Sequence, residues 1–259
     1  MTALDDDLAL ALSLADAADA ITMARFLAAD LSVSTKPDLT PVSDADRSVE
    51  TTIRDIVDSR RPGDAVLGEE FGETGESVRR WIVDPIDGTK NFVRGVPVWA
   101  TLIALEESGE VTVGVVSAPA LGRRWWAARG LGAWTATTGD PRRLAVSAVS
   151  SLSDAFLSFA SAAGWADIGR GAQFQSLLEG VWRTRAFGDF WSHMLVAEGA
   201  IDLACEAEVS LWDLAALCVI VEEAGGSLSD LDGTRGPRGG NVLTTNGALH
   251  DEALATLRR

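Results

Sequence analysis

The chain has 259 residues, with 38 Asp plus Glu against 22 Lys plus Arg, two His, two Cys and no Tyr, for a formal charge of −16. Such acidity without a basic cluster excludes nucleic acid as a main partner, because that binding rests on Lys and Arg neutralising phosphates. Two histidines exclude a zinc site built from several imidazoles, and a 47% hydrophobic composition is enough to bury a full core.

Met1-Thr2-Ala3-Leu4-Asp5-Asp6-Asp7 is acidic where an export or transit signal is basic, and no apolar run reaches the ~20 residues of a membrane span. A cytoplasmic protein that does not engage a membrane is expected. Leu4, Leu8, Ala11, Leu12, Ala15 and Ala18 recur at helical spacing towards Ile21 and Phe26, which predicts an amphipathic helix with Asp16 and Asp19 facing water. After the break at Lys36-Pro37-Asp38-Leu39-Thr40-Pro41, Ser43 with Asp46 three later predicts a capping-box start for a second helix. That helix turns Val49, Ile53, Ile56 and Val57 inward and ends at Arg61-Pro62-Gly63.

The period then becomes that of strands. Ala65-Val66-Leu67 and Trp81-Ile82-Val83 run straight into acids, Gly68-Glu69-Glu70 and Asp84-Pro85-Ile86-Asp87-Gly88-Thr89. Residues 98–105, 111–117 and 124–128 predict an antiparallel meander with a hairpin turn at Glu107-Ser108-Gly109-Glu110. Strands are predicted over 156–159, 182–186 and 201–205, and helices over 173–178, 190–198 and 214–224, the last strongly apolar and closed by Gly225-Gly226. Residues 232–240 read as a Gly-rich surface loop. Cys205 and Cys218, in apolar surroundings, read as buried thiols.

Acids at strand ends carry the chemistry. Asp84 to Thr89 suits a plain β-turn in which Asp-Gly supplies the geometry. Asp84, directly after Trp-Ile-Val, is near-buried on that arrangement and needs a partner or a metal. Thr89 adds a hydroxyl beside backbone N–H groups that suit a phosphate. Glu69-Glu70 is either a solvated pair or, with Asp84 and Asp87 at one sheet edge, part of a cation site. Asp213 suits a helix N-cap, worth about 1 kcal/mol. Asp44 and Asp46 suit the first turn of their helix, facing its dipole.

Together these segments resemble the inositol monophosphatase family of magnesium-dependent phosphomonoesterases. The two signatures of that family stand as Trp81-Ile82-Val83-Asp84-Pro85-Ile86-Asp87-Gly88-Thr89-Lys90-Asn91-Phe92 and as Trp212-Asp213-Leu214-Ala215-Ala216 through Glu223-Ala224-Gly225-Gly226, with Gly68-Glu69-Glu70 ahead of both. The resemblance extends from the first helix to Thr245-Asn246-Gly247. Within the family, the runs from Lys36 to Asp46, Lys90 to Trp99 and Arg185 to Phe190 look most like those of actinobacterial histidinol-phosphatases of histidine biosynthesis.

The resemblance implies an α/β fold over residues 1–259, a single domain layered α/β/α/β/α from two packed halves divided near residue 140, with homodimers common. Most metal ligands then belong to the first half, and Asp213 with the substrate-side residues to the second. It implies two to three Mg²⁺ ions, one on Glu69, Asp84 and the Ile86 carbonyl, a second on Asp84, Asp87 and Asp213, and a looser third near Glu69. Glu69 would orient the attacking water and Thr89, backed by Asp46, would help remove its proton. Backbone N–H groups of Gly88 and Thr89 would hold phosphate oxygens. On the substrate side the resemblance points to Asp87, Asp189, Glu206, Arg185 and Asn246.

The activity implied is Mg²⁺-dependent hydrolysis of L-histidinol phosphate by in-line attack of water. Histidinol carries an amine and an imidazole, which acids at Asp189 and Glu206 suit, whereas an inositol ring is held mostly by neutral hydrogen bonds. Two alternatives stand beside it. One is a related phosphatase acting on inositol phosphates, a nucleotide bisphosphate or fructose bisphosphate. The other is a non-catalytic metal-binding protein on the same fold, against which the complete set Glu69, Asp84, Asp87, Thr89 and Asp213 argues. Arg185 equally suits a structural partner of Glu206 or of a neighbouring subunit. His193 reads as a core or surface histidine, and Trp81, Trp99 and Trp212 as large core side chains.

Overall fold

The computed structural model describes residues 3–37, 39–137 and 139–258; Met1, Thr2, Asp38, Thr138 and Arg259 lie outside the described residues, Asp38 falling in the run from Lys36 to Asp46. Helix α1 (Ala3–Arg25), the hairpin of β1 (Val33–Thr35) and β2 (Pro41–Ser43), and helix α2 (Asp44–Arg60) open the chain. There follow β3 (Ala65–Gly68), β4 (Gly72–Thr74), β5 (Arg79–Asp87) and the short helix α3 (Thr89–Arg94). A meander of β6 (Ala100–Glu107), β7 (Glu110–Ala118), β8 (Arg123–Ala128), β9 (Gly132–Ala136) and β10 (Arg142–Arg143) comes next. These strands form one sheet in the order β10-β9-β8-β7-β6-β5-β3-β4, antiparallel except where β3 lies beside β5.

The remaining chain builds a second, smaller sheet. It contains β11 (Phe156–Phe159), helix α4 (Gly171–Gly180), β12 (Arg183–Arg185), helix α5 (Asp189–Ala197), β13 (Leu203–Glu206), helix α6 (Leu211–Glu223), β14 (Ser227–Ser229), β15 (Val242–Thr245) and helix α7 (His250–Arg258). Its strand order is β12-β11-β13-β15-β14.

Alternation along the strands decides the layering. Side chains of a strand point to opposite faces in turn. Trp81 and Val83 of β5 therefore join Leu10, Leu14, Val49 and Ile53 under α1 and α2, while Ile82 between them joins the cluster under α5 and α6. Both faces are covered, so β5 reads as an unbroken apolar run. Helix α6 is buried all round because it lies between the two sheets, and it approaches β7 so closely that a Cβ on Gly114 would sit 2.5 Å from Val219 Cγ1 and 2.6 Å from the Ala216 carbonyl. Helices α4 and α7 cover the far face of the small sheet through Phe174, Leu177, Ala253 and Leu257. The result is the five-layered α/β/α/β/α arrangement.

Ser43 caps α2 in a capping box with Asp46, and the 107–110 turn is a two-residue hairpin with Ser108 and Gly109 at φ 54° and 88°, as the sequence leads one to expect. Both cysteines are buried and unpaired, and among the described residues no helix is long and apolar enough to cross a membrane. Trp81 and Trp99 are fully buried, while Trp212 is half-buried.

Three expectations need correction. Ala11, Ala15 and Ala18 of the expected stripe are buried, but the centre of the buried face of α1 shifts to Asp7, Leu10 and Leu14, with Leu4, Leu8, Leu12 and Ile21 packed at its edge and only partly buried. Asp19 does not face water: β8 brings Arg124 across the helix, and Asp19 accepts from Arg124 Nη2 at 2.6 Å and Ser117 Oγ at 2.8 Å, while exposed Asp16 pairs with Arg124 Nη1. Helix α6 begins at Leu211 with Ser210 as N-cap, so Asp213 is not the cap but the third residue of the first turn, where its Oδ2 accepts from the Ser210 N–H at 2.7 Å.

Candidate active site

The acids of β5 lie within the strand rather than after it, because pairing with β6 continues to the end. Asp84 is opposite Leu102 and Asp87 opposite Ala100, three residues against two, which is a β-bulge. In a regular strand residues three apart face opposite sides, and the extra residue cancels that alternation. Asp84 and Asp87 consequently point the same way, and with Asp213 from α6 they present carboxylate oxygens all within 4.8 Å of one another.

Gly88 follows in the left-handed region at φ 83°, ψ 36°, turning the chain into α3. Thr89, the first residue of that helix, has two acceptors within reach of its Oγ1 proton, the Ile86 carbonyl at 2.9 Å and Asp46 Oδ1 at 3.3 Å. The other Asp46 oxygen accepts from Ser43 N and Ser43 Oγ at 2.8 and 2.6 Å. Burial raises the Asp46 carboxyl, the Ser43 hydrogen bonds oppose this, and the charge of Glu69 adds to it.

Glu69 leads from β3 into the same cleft, where its Oε1 is 2.7 Å from Lys36 Nζ; the same ammonium is 2.6 Å from Glu70 Oε1. Burial alone would lower the Lys36 ammonium, but its bonds to Glu69 and Glu70 outweigh this and raise it. Buried Glu50 of α2 fixes the turn, accepting from the N–H groups of Glu70 and Phe71.

These groups line a cleft of about 900 Å³ between the two sheets. Its opposite wall belongs to the second sheet and its helices, with Asp189 at the start of α5 and Glu206 at the end of β13. Asp189 sits at φ 50°, a conformation sparsely used by residues other than glycine, and its Oδ2 accepts from Asn91 Nδ2 at 3.1 Å. Ser192 Oγ holds the preceding turn by accepting from the Gly188 N–H at 3.0 Å. Glu206 accepts from His193 Nε2 at 3.0 Å. Exposed Asp167 and Glu208 also line the cleft, together with Lys90 and His193, and Lys36 reaches Glu69 from its edge.

Crowding of acids shows in their proton affinities. Burial pushes Asp84 and Asp87 well above the usual carboxylate range, reinforced by Glu69, Asp87 and Asp213 around the first and by Asp189 and Asp213 around the second. Asp213 rises to about 7, from burial against the opposing Ser210 N–H bond and with Glu69 and Glu206 adding to it. Asp189 rises to about 6, from burial and then Glu206, with Lys90 and His193 in opposition. A divalent cation relieves this repulsion, and an all-oxygen donor set from carboxylates fits a hard ion.

The sequence-derived residues do not all converge. Glu69, Asp84, Ile86, Asp87, Gly88, Thr89, Asp189, Glu206 and Asp213 line the cleft, with Asp46 directly behind Thr89. Arg185 is exposed, donates to the Thr184 carbonyl and does not reach Glu206 within this chain. Asn246 is buried and turned inward, its Nδ2 on Ser147 and Val149 and its Oδ1 on the Leu249 N–H. Sequence reasoning gave Lys36 and Asn91 no site role and read His193 as a core or surface histidine; it is buried, and it bonds Glu206 at the cleft. His193 follows Asp189 by four residues, one helical turn, a spacing readable once Asp189 is singled out.

The chain matches the profile of the inositol monophosphatase family over residues 3–259. It is 62% identical over 254 residues to a histidinol-phosphatase of Mycobacterium tuberculosis, covering 97% of this chain and 98% of that one. It is 58% identical over 259 residues to a histidinol-phosphatase of Streptomyces coelicolor, covering 98% and 97%. Among solved structures, an inositol monophosphatase from Zymomonas mobilis aligns with a TM-score of 0.87 at 30% identity over the full length of both chains. The extragenic suppressor protein suhB of Bartonella henselae aligns with a TM-score of 0.88 at 30% identity, covering 98% of this chain and 99% of that one.

Proposed function

The chain belongs to the inositol monophosphatase family, and on that premise we infer that it is a phosphoric monoester hydrolase releasing phosphate from L-histidinol phosphate. One observation carries the choice of substrate. The wall facing the Asp84, Asp87 and Asp213 cluster presents carboxylates, Asp189 and Glu206, where an uncharged polyol calls for neutral hydrogen-bonding groups. An ester whose alcohol carries an amine and an imidazole supplies the complementary charge, and the two histidinol-phosphatases above are similar over nearly the whole chain.

We assign two to three Mg²⁺ ions to the acidic cluster, with Glu69, Asp84, the Ile86 carbonyl, Asp87 and Asp213 as the residues that would hold them. When bound, Mg²⁺ supplies Lewis-acid stabilisation of the charge that develops on the phosphoryl group and makes the attacking water more acidic. The protein does the rest. Glu69 orients the water. Thr89 Oγ1 accepts its proton while passing its own to Asp46, whose raised proton affinity makes it a competent acceptor at the end of this two-step relay. Ser43 keeps the other Asp46 oxygen occupied, so one oxygen alone faces Thr89. Backbone N–H groups of Gly88 and Thr89 hold phosphate oxygens, and Asp189 with Glu206 orients the cationic alcohol. No covalent phospho-enzyme is required.

Phosphate release from L-histidinol phosphate by the purified protein in Mg²⁺ tests this assignment. Absence of turnover in a folded, Mg²⁺-loaded sample would refute it.

A further inference from the structure

We propose that His193 is the positioning residue for Glu206, fixing that carboxylate to meet the cationic part of the substrate; this rests on the reading of Asp189 and Glu206 given above. The His193 side chain is 1% exposed and is held at both ring nitrogens, Nε2 at 3.0 Å from Glu206 Oε1 and Nδ1 at 2.8 Å from Thr244 Oγ1. A carboxylate only accepts, so Nε2 carries the proton that faces Glu206, while the Thr244 hydroxyl, able to donate or accept, meets Nδ1. The ring is thereby fixed in orientation by a residue, Thr244, that does not line the cleft.

Sheet register explains how the three residues meet. Thr244 of β15 pairs with Ala204 of β13, and Glu206 lies two residues beyond Ala204 on the same face of the strand. Helix α5 packs on that face through Val196 against Ala204, which brings His193 over both side chains. Glu206 has a second oxygen, Oε2, without a hydrogen-bond partner among the described residues, and the residue lines the cleft. One oxygen is anchored and the other is left for a ligand.

The same helix holds both acids of this wall, Asp189 as its first residue and Glu206 through His193 one turn later. A glutamate free to sample its rotamers loses that freedom when it binds a ligand, and anchoring it beforehand removes this cost from the binding step. Loss of the anchor therefore falls on KM rather than kcat, by about tenfold for a cationic ester. A histidine that merely fills core volume has no reason to affect one ester more than another.

The test compares L-histidinol phosphate with glycerol 2-phosphate, whose alcohol is uncharged. His193→Leu is expected to raise KM for histidinol phosphate about tenfold more than for glycerol 2-phosphate. His193→Gln, whose amide can donate to Glu206 and accept from Thr244, is expected to recover most of that difference. Adding Glu206→Gln to His193→Leu should cost much less than Glu206→Gln costs alone. Thr244→Val removes the hydroxyl behind the ring, is expected to give a smaller loss of the same kind, and serves should His193→Leu fail to fold. Equal losses for the two esters in His193→Leu or Thr244→Val, or independent multiplication of the His193 and Glu206 losses, would overturn the positioning role. If Glu206→Gln alone leaves the ratio of the two esters unchanged, the reading of the charged wall falls and this proposal with it. A ratio that shifts in Glu206→Gln but not in the His193 and Thr244 variants removes the positioning role alone.

Discussion

The backbone N–H of Phe190 donates to Asp87 Oδ2 at 2.7 Å, so an acid at the end of a strand in the large sheet is held by the first turn of a helix that packs on the small one. Asp189, adjacent to Phe190, is the acid assigned to the leaving group. On the proposed reading, the phosphate side and the alcohol side of the cleft are thus joined by one peptide unit, and a shift of α5 would move both.

Asp84 is a crowded carboxylate at the heart of the cluster, with burial and then Glu69, Asp87 and Asp213 all raising its proton affinity. Asp84→Asn is expected to reduce Mg²⁺-dependent turnover by several orders of magnitude while leaving the fold intact. It should also raise the melting temperature in chelator, since one of the mutually repelling charges is gone; each kcal/mol gained is worth roughly 2–4 °C in a chain of this size. Near-normal phosphate release, or a metal-free protein that melts lower, contradicts the metal role.

Asp189→Asn keeps the side-chain shape and the contact with Asn91 while removing the charge. The account expects kcat/KM for L-histidinol phosphate to fall by tenfold or more relative to an uncharged phosphate ester, about 1.4 kcal/mol of discrimination. Equal losses for the two substrates would remove Asp189 from cation recognition.

Thr89→Val deletes the hydroxyl between the water and Asp46 at nearly constant volume. Expected is a loss of about 10²–10⁴ in kcat with little change in KM, and substantial recovery in Thr89→Ser. A KM effect of the same size with kcat preserved would assign Thr89 to binding alone.

Metal-free stability should depend on pH in a definite direction. Asp213 and Asp189 are raised from 3.8 to about 7 and about 6, so between about pH 4 and pH 7 the folded chain binds more protons than the unfolded one. Their neutral forms stabilise the fold fully below the unfolded value, and that stability is lost as pH rises through the folded values. Thermal melts in chelator should therefore give a lower midpoint at pH 7.5 than at pH 5, with Mg²⁺ restoring the loss at pH 7.5. A midpoint equal or higher at pH 7.5 without metal contradicts the crowding of the cluster.

The local signals that the sequence carries strongly are those set by neighbours a few residues apart. The Ser43–Asp46 capping box, the Ser108-Gly109 hairpin and the apolar strand running into Glu69 all depend on such spacing, and the structure reproduces them, whereas the strand from Trp81 continues past Asp84 to Asp87. What could not be read depends on partners brought from afar. Asp19 looks like a wet helix position until β8 delivers Arg124 from 105 residues away. Asp84 and Asp87 look three apart, hence on opposite faces, until the bulge against β6 aligns them. Asn246 differs for the same reason, since its amide is turned inward by Ser147 and Val149, nearly a hundred residues away; Arg185 ends an exposed strand, and its guanidinium bonds the carbonyl of its neighbour Thr184 instead of entering the cleft.

The most direct test of the whole account is a single kinetic comparison, kcat/KM for L-histidinol phosphate against inositol 1-phosphate, each with Mg²⁺ and after its removal by chelator. The account predicts at least a hundredfold preference for histidinol phosphate and loss of both activities without the metal. Comparable or better turnover of the inositol ester, or turnover of histidinol phosphate that survives chelation, would contradict it.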